Sequence, residues 1–183
     1  GDDFYKCGEK LSWSLSDDGV LTVSGTGKMY DYSAADLKFA PWYEQRSAIS
    51  SVVIKPGVTS IGNGAFSYCT KLTTVTIPDS VISIGEEAFS GCSSLTCIAL
   101  PDGVTSIGEG AFGGCSSLTS ITIPEGVTTI GEYAFSHCNA LTNVTIPNSV
   151  NSLGSGAFYR CTALESVQLS GNLAAIDRYT FSG

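Results

Sequence analysis

The chain has 183 residues, of which 43% are hydrophobic, and this is enough apolar surface for a packed core and excludes intrinsic disorder as the main description. Nine Lys and Arg residues stand against 17 Asp and Glu residues, and the net charge of -8 repels nucleic-acid phosphates and anionic membrane surfaces. No apolar run approaches the roughly 18–20 residues that a bilayer requires, so we expect neither nucleic-acid binding nor membrane insertion.

Residues 1–48 are predicted to form a β-rich N-terminal cap. This segment contains both tryptophans, Trp13 and Trp42, and four of the eight tyrosines. Apolar residues alternate with polar ones over residues 11–23 on either side of a turn signal at residues 17–19, which predicts a β-hairpin. We expect the apolar face of this hairpin to cover the open edge of the first strand that follows.

From residue 49 to 183 the chain repeats itself every 23 residues. This offset aligns two columns, which are Phe66, Phe89, Phe112, Phe135, Phe158 and Phe181, and Cys69, Cys92, Cys115, Cys138 and Cys161. Each unit reads L-x-x-V-x-I-P-x-x-V-x-x-I-G-x-x-A-F-x-x-C, and its opening has the spacing of leucine-rich repeats. Six rows result: five begin at Leu72, Leu95, Leu118, Leu141 and Leu164, and the segment with Ile49, Val52 and Ile54 supplies an earlier one.

The second unit shows what structure the repeat should form. Alternation at Val75 and Ile77 predicts a strand with these side chains inward, and Pro78 ends its ladder because proline has no N–H to donate. The stretch from Val81 to Ile84 should return along the opposite side as a second short strand, and the A-F-x-x-C segment should form a helical turn. The predicted fold is therefore a right-handed β-solenoid with a parallel sheet and short helical turns, stabilised by the stacking of neighbouring rows.

The last row departs from the repeat. Ser170, Asp177 and Thr180 replace the usual Pro, Gly and Ala. Degenerate terminal rows often cap a repeat array, but Gly183 is also one residue short of the next column cysteine. We favour the second interpretation, in which the array continues.

The repeated V-T-S-I-G-x-x-A-F-x-x-C and L-T-x-V-T-I-P motifs resemble those of the BspA-like leucine-rich-repeat surface proteins of bacteria. The Cys7-Gly8, L-x-W-x-L, L-T-V-S-G-T-G-x-M and Pro41-Trp42 elements are similar to a module that often precedes such repeats, so the resemblance covers essentially the whole chain. It implies a secreted or cell-surface protein that binds protein or matrix components, most often in adhesion to a host. It implies no shared catalytic site and no particular ligand.

The cysteine column is predicted to be a buried structural feature. Equivalent side chains on parallel rows about 4.8 Å apart seldom present the dihedral angle of a disulfide, and no C-x-x-C pair indicates zinc. Cys97 takes an outward strand position and should be an exposed thiol; the alternatives are a disulfide with Cys7 and a drifted position without a role. His137, the only histidine, precedes Cys138, but no acid orients the pair and we expect no catalysis.

Two acidic columns follow the strand prolines and the repeat glycines. They are Asp79, Asp102 and Glu125, and Glu86, Glu109 and Glu132, and no Lys or Arg occurs between residues 72 and 159. Stacked like charges repel each other unless they are solvated or bridged by a cation. The columns are therefore either a weak Ca²⁺ site or, as we prefer, a solvated flank that prevents edge-to-edge association. No cofactor is expected.

The outward strand positions form the predicted interaction face. We define the front face as Thr74, Thr76, Cys97, Ser120, Thr122, Asn143, Thr145, Ser166 and Gln168. Leucine-rich repeats often bind partners on such a sheet, but this face lacks the Trp, Tyr and Arg of usual hot spots, which favours a weak or multivalent contact with a protein or glycan. Two alternatives stay open: binding through the aromatic cap or through Tyr68, Tyr133, Tyr159 and Arg160, and a structural spacer that binds nothing.

Overall fold

The structure is a computed structural model that describes residues 2–183, with side chains from residue 3 onward; Gly1 of the predicted cap lies outside the described residues. The chain forms a parallel β-solenoid of about 5 turns with a 23-residue period, so the predicted fold class is confirmed. Its described part contains two short 3₁₀ helices, Asp2–Tyr5 and Tyr43–Ala48, and no α-helix.

Short strands make up the rest of the regular structure. They are β1 (Lys6–Gly8), β2 (Lys10–Leu15), β3 (Val20–Lys28), β4 (Ser51–Ile54), β5 (Val58–Ile61), β6 (Thr74–Thr76), β7 (Ser83–Ile84), β8 (Ser106–Ile107), β9 (Thr129–Ile130), β10 (Asn143–Thr145), β11 (Ser152–Leu153) and β12 (Ser166–Gln168).

The predicted hairpin of the cap is confirmed, but it covers the first repeat in a different way. Strands β2 and β3 pair antiparallel, with Trp13 opposite Val23. The edge of the repeats is covered by backbone pairing, because β3 runs parallel to both β4 and β5. One strand can reach two neighbours because it contains Gly25 and Gly27, whose φ angles of 118° and 99° let it bend. The boundary at residue 48 stays a prediction, since the hydrogen-bonded sheet is continuous across it.

Two parallel ladders run the length of the solenoid. The back ladder is continuous through β5, β7, β8, β9 and β11, each residue pairing with the residue 23 positions later. The front ladder pairs β4 with β6 and β10 with β12. The isolated bridges of Ala99 to Thr122 and of Ser120 to Asn143 continue it from the row of Ala99 to β10, and among the described residues no such pairing joins β6 to the row of Ala99. The return strand, predicted as a second short strand, thus forms the more regular of the two ladders.

The predicted helical turn is wrong for the segment that carries the Phe and Cys columns. In residues 62–69 the Ala65 N–H donates to the Gly62 oxygen within the row, but the Phe66 N–H donates to the Ala88 oxygen of the next row. Each of five such segments has two positions with φ between 52° and 72°, which an α-helix does not tolerate. The segment is therefore a chain of turns that satisfies its backbone through the neighbouring row.

The core is organised around stacked aromatic rings. Successive rings of the Phe column are parallel to within 20°, with centroids 5.4–5.6 Å apart. Trp42 of the cap extends the stack, because its ring lies 5.4 Å from that of Phe66 and its Nε1 donates to the Ala65 oxygen at 2.7 Å. The cap and the repeats therefore share one core.

Candidate functional site

The front face is exposed along the front ladder, as predicted. All nine of its side chains are solvent-accessible, and two of them donate hydrogen bonds to side chains of the preceding row. Thr74 Oγ1 donates to Ser51 Oγ at 2.9 Å, and Ser166 Oγ donates to Asn143 Oδ1 at 2.5 Å. The face is thus a flat polar surface without an aromatic ring or a charge.

The column cysteines are buried, as predicted, and four of the five donate a hydrogen bond to a carbonyl of the preceding row. Cys92, Cys115 and Cys138 donate their thiol hydrogens to the Phe carbonyl of the preceding row at 3.2 Å. Burial raises the pKa of the Cys69 thiol from its ordinary value of 9.0 to about 12 and that of Cys161 to about 11. These thiols are structural groups and poor nucleophiles.

The two cysteines outside the column differ in burial. Cys97 is exposed, as predicted, whereas Cys7 is buried in the cap, and both are free thiols. The alternative of a disulfide between them is wrong, because Cys7 packs inside the cap core. His137 is exposed and packs edge-on against Tyr159 at 5.6 Å, while burial holds the pKa of its neighbour Cys138 well above the usual range.

The acidic columns lie in solvent. All six carboxylates are exposed, and within the described part of the chain no group of three or more His, Cys, Asp or Glu side chains could hold a metal ion. Among residues 3–183 the one ion pair joins Lys6 to Asp3. The carboxylates therefore contribute an unpaired negative field along the solenoid.

Several exposed or half-buried aromatic side chains lie beside the turn segments, and none lies on the front face. We define the aromatic edge as Phe39, Tyr43, Tyr68, Tyr133, Tyr159 and Tyr179. Tyr68 and Tyr133 are 59% and 44% exposed although such rings are usually covered. Tyr68, Tyr133 and Tyr159 were predicted from the sequence as one alternative binding site, and Phe39 and Tyr43 belong to the aromatic cap that was the other. Tyr179 was not predicted, because it lies in the degenerate last row.

The turn segments beside the aromatic edge contain strained backbone. Non-glycine residues with φ of 52–58° in the repeats are Tyr68, Glu87, Tyr133, His137 and Arg160. Glycine occupies the matching positions of other rows, namely Gly64, Gly91, Gly110, Gly114 and Gly156. A side chain at such a position costs on the order of 1–3 kcal/mol, and strain of this kind concentrates at ligand sites. These residues form two columns of the repeat, in which glycines alternate with larger residues, and this pattern is the signal by which the edge could have been found.

Two depressions follow the aromatic edge and meet at Tyr68 and Glu87. One, of about 280 Å³, lies between the cap and the first repeats and includes Phe39 and Tyr43. The other, of about 340 Å³, runs from Tyr68 to Tyr133 and His137 over a floor of glycines, Gly91, Gly110, Gly113 and Gly114. We call the second depression the glycine groove.

The chain is similar to a known protein family. The model of the BspA type leucine rich repeat region matches in six copies, over residues 42–139 and 84–183. No curated protein sequence matches the chain. Among the described residues there is no helix with the length and hydrophobicity needed to cross a bilayer.

Several solved structures are similar. A leucine-rich repeat protein from Bacteroides ovatus is 33% identical with a TM-score of 0.65, and the match covers 88% of this chain and 40% of that one. A leucine rich cell surface protein from Faecalibacterium prausnitzii is 29% identical with a TM-score of 0.53, covering 88% and 53%. The T. pallidum leucine rich repeat protein, 22% identical with a TM-score of 0.64 and 90% of each chain covered, shares the fold.

The chain thus spans less than two thirds of the length of the Bacteroides ovatus protein that it matches. The family match covers both the repeats and Trp42, the cap residue that heads the aromatic stack. On this evidence the chain belongs to the BspA-type leucine-rich repeat family.

Proposed function

We propose that the chain is a non-catalytic binding module of an extracellular or cell-surface protein, which attaches to a protein or glycan of a host or neighbouring cell through its front face. The observation that carries the proposal is the front face itself, in which every row contributes exposed side chains, mostly polar, beside the front ladder. Leucine-rich repeat domains generally bind proteins, and a similar structure is named a cell surface protein.

The experiment measures binding of the purified chain to an array of matrix proteins and glycans at physiological salt, with and without Ca²⁺. The double variant Asn143→Ala with Gln168→Ala should weaken a contact made by the front face without unfolding the chain. Asn151→Ala, an exposed residue outside the front face, serves as the matched control. If the double variant binds the same array component as tightly as the parent chain does, the front face is not the binding site.

A structural spacer is the second candidate. The front face has no aromatic or charged side chain, and such faces lack the residues that dominate binding energies. A spacer would leave the array blank and would tolerate added or deleted 23-residue units without loss of function.

A further inference from the structure

The tyrosines of the aromatic edge differ in whether a cation covers them. The Arg46 guanidinium lies 3.9 Å from the centroid of the Tyr43 ring, that of Arg178 lies 4.6 Å from Tyr179, and that of Arg160 lies 5.4 Å from Tyr159. Within the described residues, Tyr68 and Tyr133 have no such partner. These two rings border the glycine groove.

The rings are held in place on one side and open on the other. A Cβ added at Gly91 would come 2.5 Å from the Tyr68 ring, and one at Gly156 would come 2.4 Å from that of Tyr133, so each ring lies against a glycine of the next row. More than two fifths of each residue nevertheless stays exposed. An exposed aromatic face that is held in a fixed position attracts a cation through its quadrupole, as the three covered tyrosines of the same edge do.

The charges in the groove favour the same kind of ligand. Glu87 and Glu109 line it, no Lys or Arg does, and neither carboxylate is in an ion pair among the described residues. The lining also lacks aliphatic side chains, so it offers no pocket for an apolar anchor. A positively charged ligand therefore gains from both the rings and the carboxylates, whereas an anionic one is repelled.

The groove also has the length of a short peptide. Tyr68 and Tyr133 belong to rows three apart, and at a strand spacing of about 4.8 Å these rows lie about 14 Å apart along the solenoid. An extended peptide rises about 3.3 Å per residue, so about five residues span the distance. Along the floor, Gly114 has no atom nearer than 3.6 Å to the place where a Cβ would lie, whereas the Tyr68 ring already lies against Gly91.

We propose that the glycine groove binds an extended basic segment of a partner protein, with Arg or Lys side chains over Tyr68 and Tyr133 and charge pairing to Glu87 and Glu109. This site is separate from the front face, so the two can be tested independently.

The probe is a fluorescein-labelled peptide of alternating Gly and Arg, and its binding is followed by fluorescence anisotropy at low and physiological salt. The same peptide with citrulline in place of Arg keeps the shape and removes the charge. We expect the Arg peptide to bind, more weakly at higher salt, and the citrulline peptide to fail. Equal binding of the citrulline peptide or of a neutral oligosaccharide, or no binding of the Arg peptide at low salt, would overturn the proposal.

Two double variants identify the groove as the binding site. Tyr68→Gly with Tyr133→Gly should weaken binding of the Arg peptide about tenfold, and so should Glu87→Gln with Glu109→Gln. Asp79→Asn with Asp102→Asn changes the net charge equally outside the groove and should leave binding within about twofold. An equal loss in that control would show a general charge effect and contradict the proposal.

The tyrosine variants are expected to fold, because glycine occupies the same backbone position in other rows. Circular dichroism of each variant checks this, and the front-face variant Asn143→Ala with Gln168→Ala should bind the Arg peptide like the parent chain. Loss of peptide binding in the front-face variant would contradict the placement of the site in the groove.

Discussion

Each ring of the Phe column contacts an equivalent ring in the row before and the row after. Phe112 is fully buried, and its ring is parallel to those of Phe89 and Phe135 to within 7° at 5.4–5.5 Å. Parallel offset stacking at this distance adds to the stabilisation that burial of the ring area gives. A side chain in the middle of the stack therefore stabilises three rows at once.

Phe112→Ala should lower the free energy of unfolding by roughly 3–5 kcal/mol, because it leaves a cavity between two rings that cannot close on each other. Chemical denaturation followed by circular dichroism measures the change. Ser116→Ala, an exposed substitution a few residues along, is the control and should be nearly neutral. An unchanged midpoint for Phe112→Ala would show that the stack is not the core.

The sequence predicts which residues of the aromatic edge lie near the turns, but it does not predict how their side chains contact each other. The column offset indicates that Tyr68, Tyr133, Tyr159 and Arg160 lie near the turns, because a regular period puts equivalent positions together. It does not indicate that Arg160 covers Tyr159 while Tyr133 stays open, since this depends on side-chain directions that the period leaves free.

At the scale of elements, the repeat glycine before each turn segment is required by close packing between rows. A Cβ added at Gly131 would lie 2.5 Å from the Glu109 backbone nitrogen, and one at Gly154 would lie 2.2 Å from that of Glu132. Backbone atoms cannot rotate away as a flexible side chain can. The glycine therefore sets how closely neighbouring rows approach.

Gly131→Ala should therefore destabilise the chain by about 1–3 kcal/mol, the usual cost of overpacking a rigid site. Gly171→Ala is the matched control, because its nearest atom would be 3.9 Å away and it does not have a positive φ. Thermal unfolding of both variants measures the difference. Equal melting temperatures for the two variants would refute the packing argument.

The strands, the rows and the ring stack could be predicted because they follow from a regular spacing of apolar residues. The turn segment could not, since Tyr68 and Glu87 adopt a left-handed conformation that sequence rules assign to glycine. The edge pairing of the cap was also missed. It depends on the bend at Gly25 and Gly27, and alternation of polar and apolar residues carries no information about a bend.

At the scale of the whole molecule, the buried thiols make stability depend on alkaline pH. Burial raises the pKa of Cys7, Cys69 and Cys115 to about 12 from an ordinary value of 9.0. The unfolded chain loses these protons above about pH 9 while the folded chain keeps them. The stabilisation that the buried thiols give to the folded chain is therefore complete below pH 9 and is lost as the pH rises from 9 towards 12.

We expect the free energy of unfolding to fall steeply above pH 9, by about 1.4 kcal/mol per pH unit for each thiol that titrates only after unfolding. Urea unfolding at several values between pH 8 and about pH 11 measures the slope. The variant Cys115→Ala removes one titrating group and should have a shallower dependence than the parent chain. Cys97→Ala, which removes an exposed thiol, serves as the control. If both variants had the same dependence of the free energy of unfolding on pH, burial of the thiols would not be its cause.

The position of Trp42 at one end of the aromatic stack has an optical consequence. Both tryptophans lie in the cap, and Trp13 packs edge-on against Trp42 at 5.5 Å. Their emission therefore reports the environment of that end alone, whereas backbone circular dichroism averages over every row. In a quasi-one-dimensional molecule held together by neighbour contacts, the two signals together show whether unfolding begins at the cap or at the distant rows, without any added label.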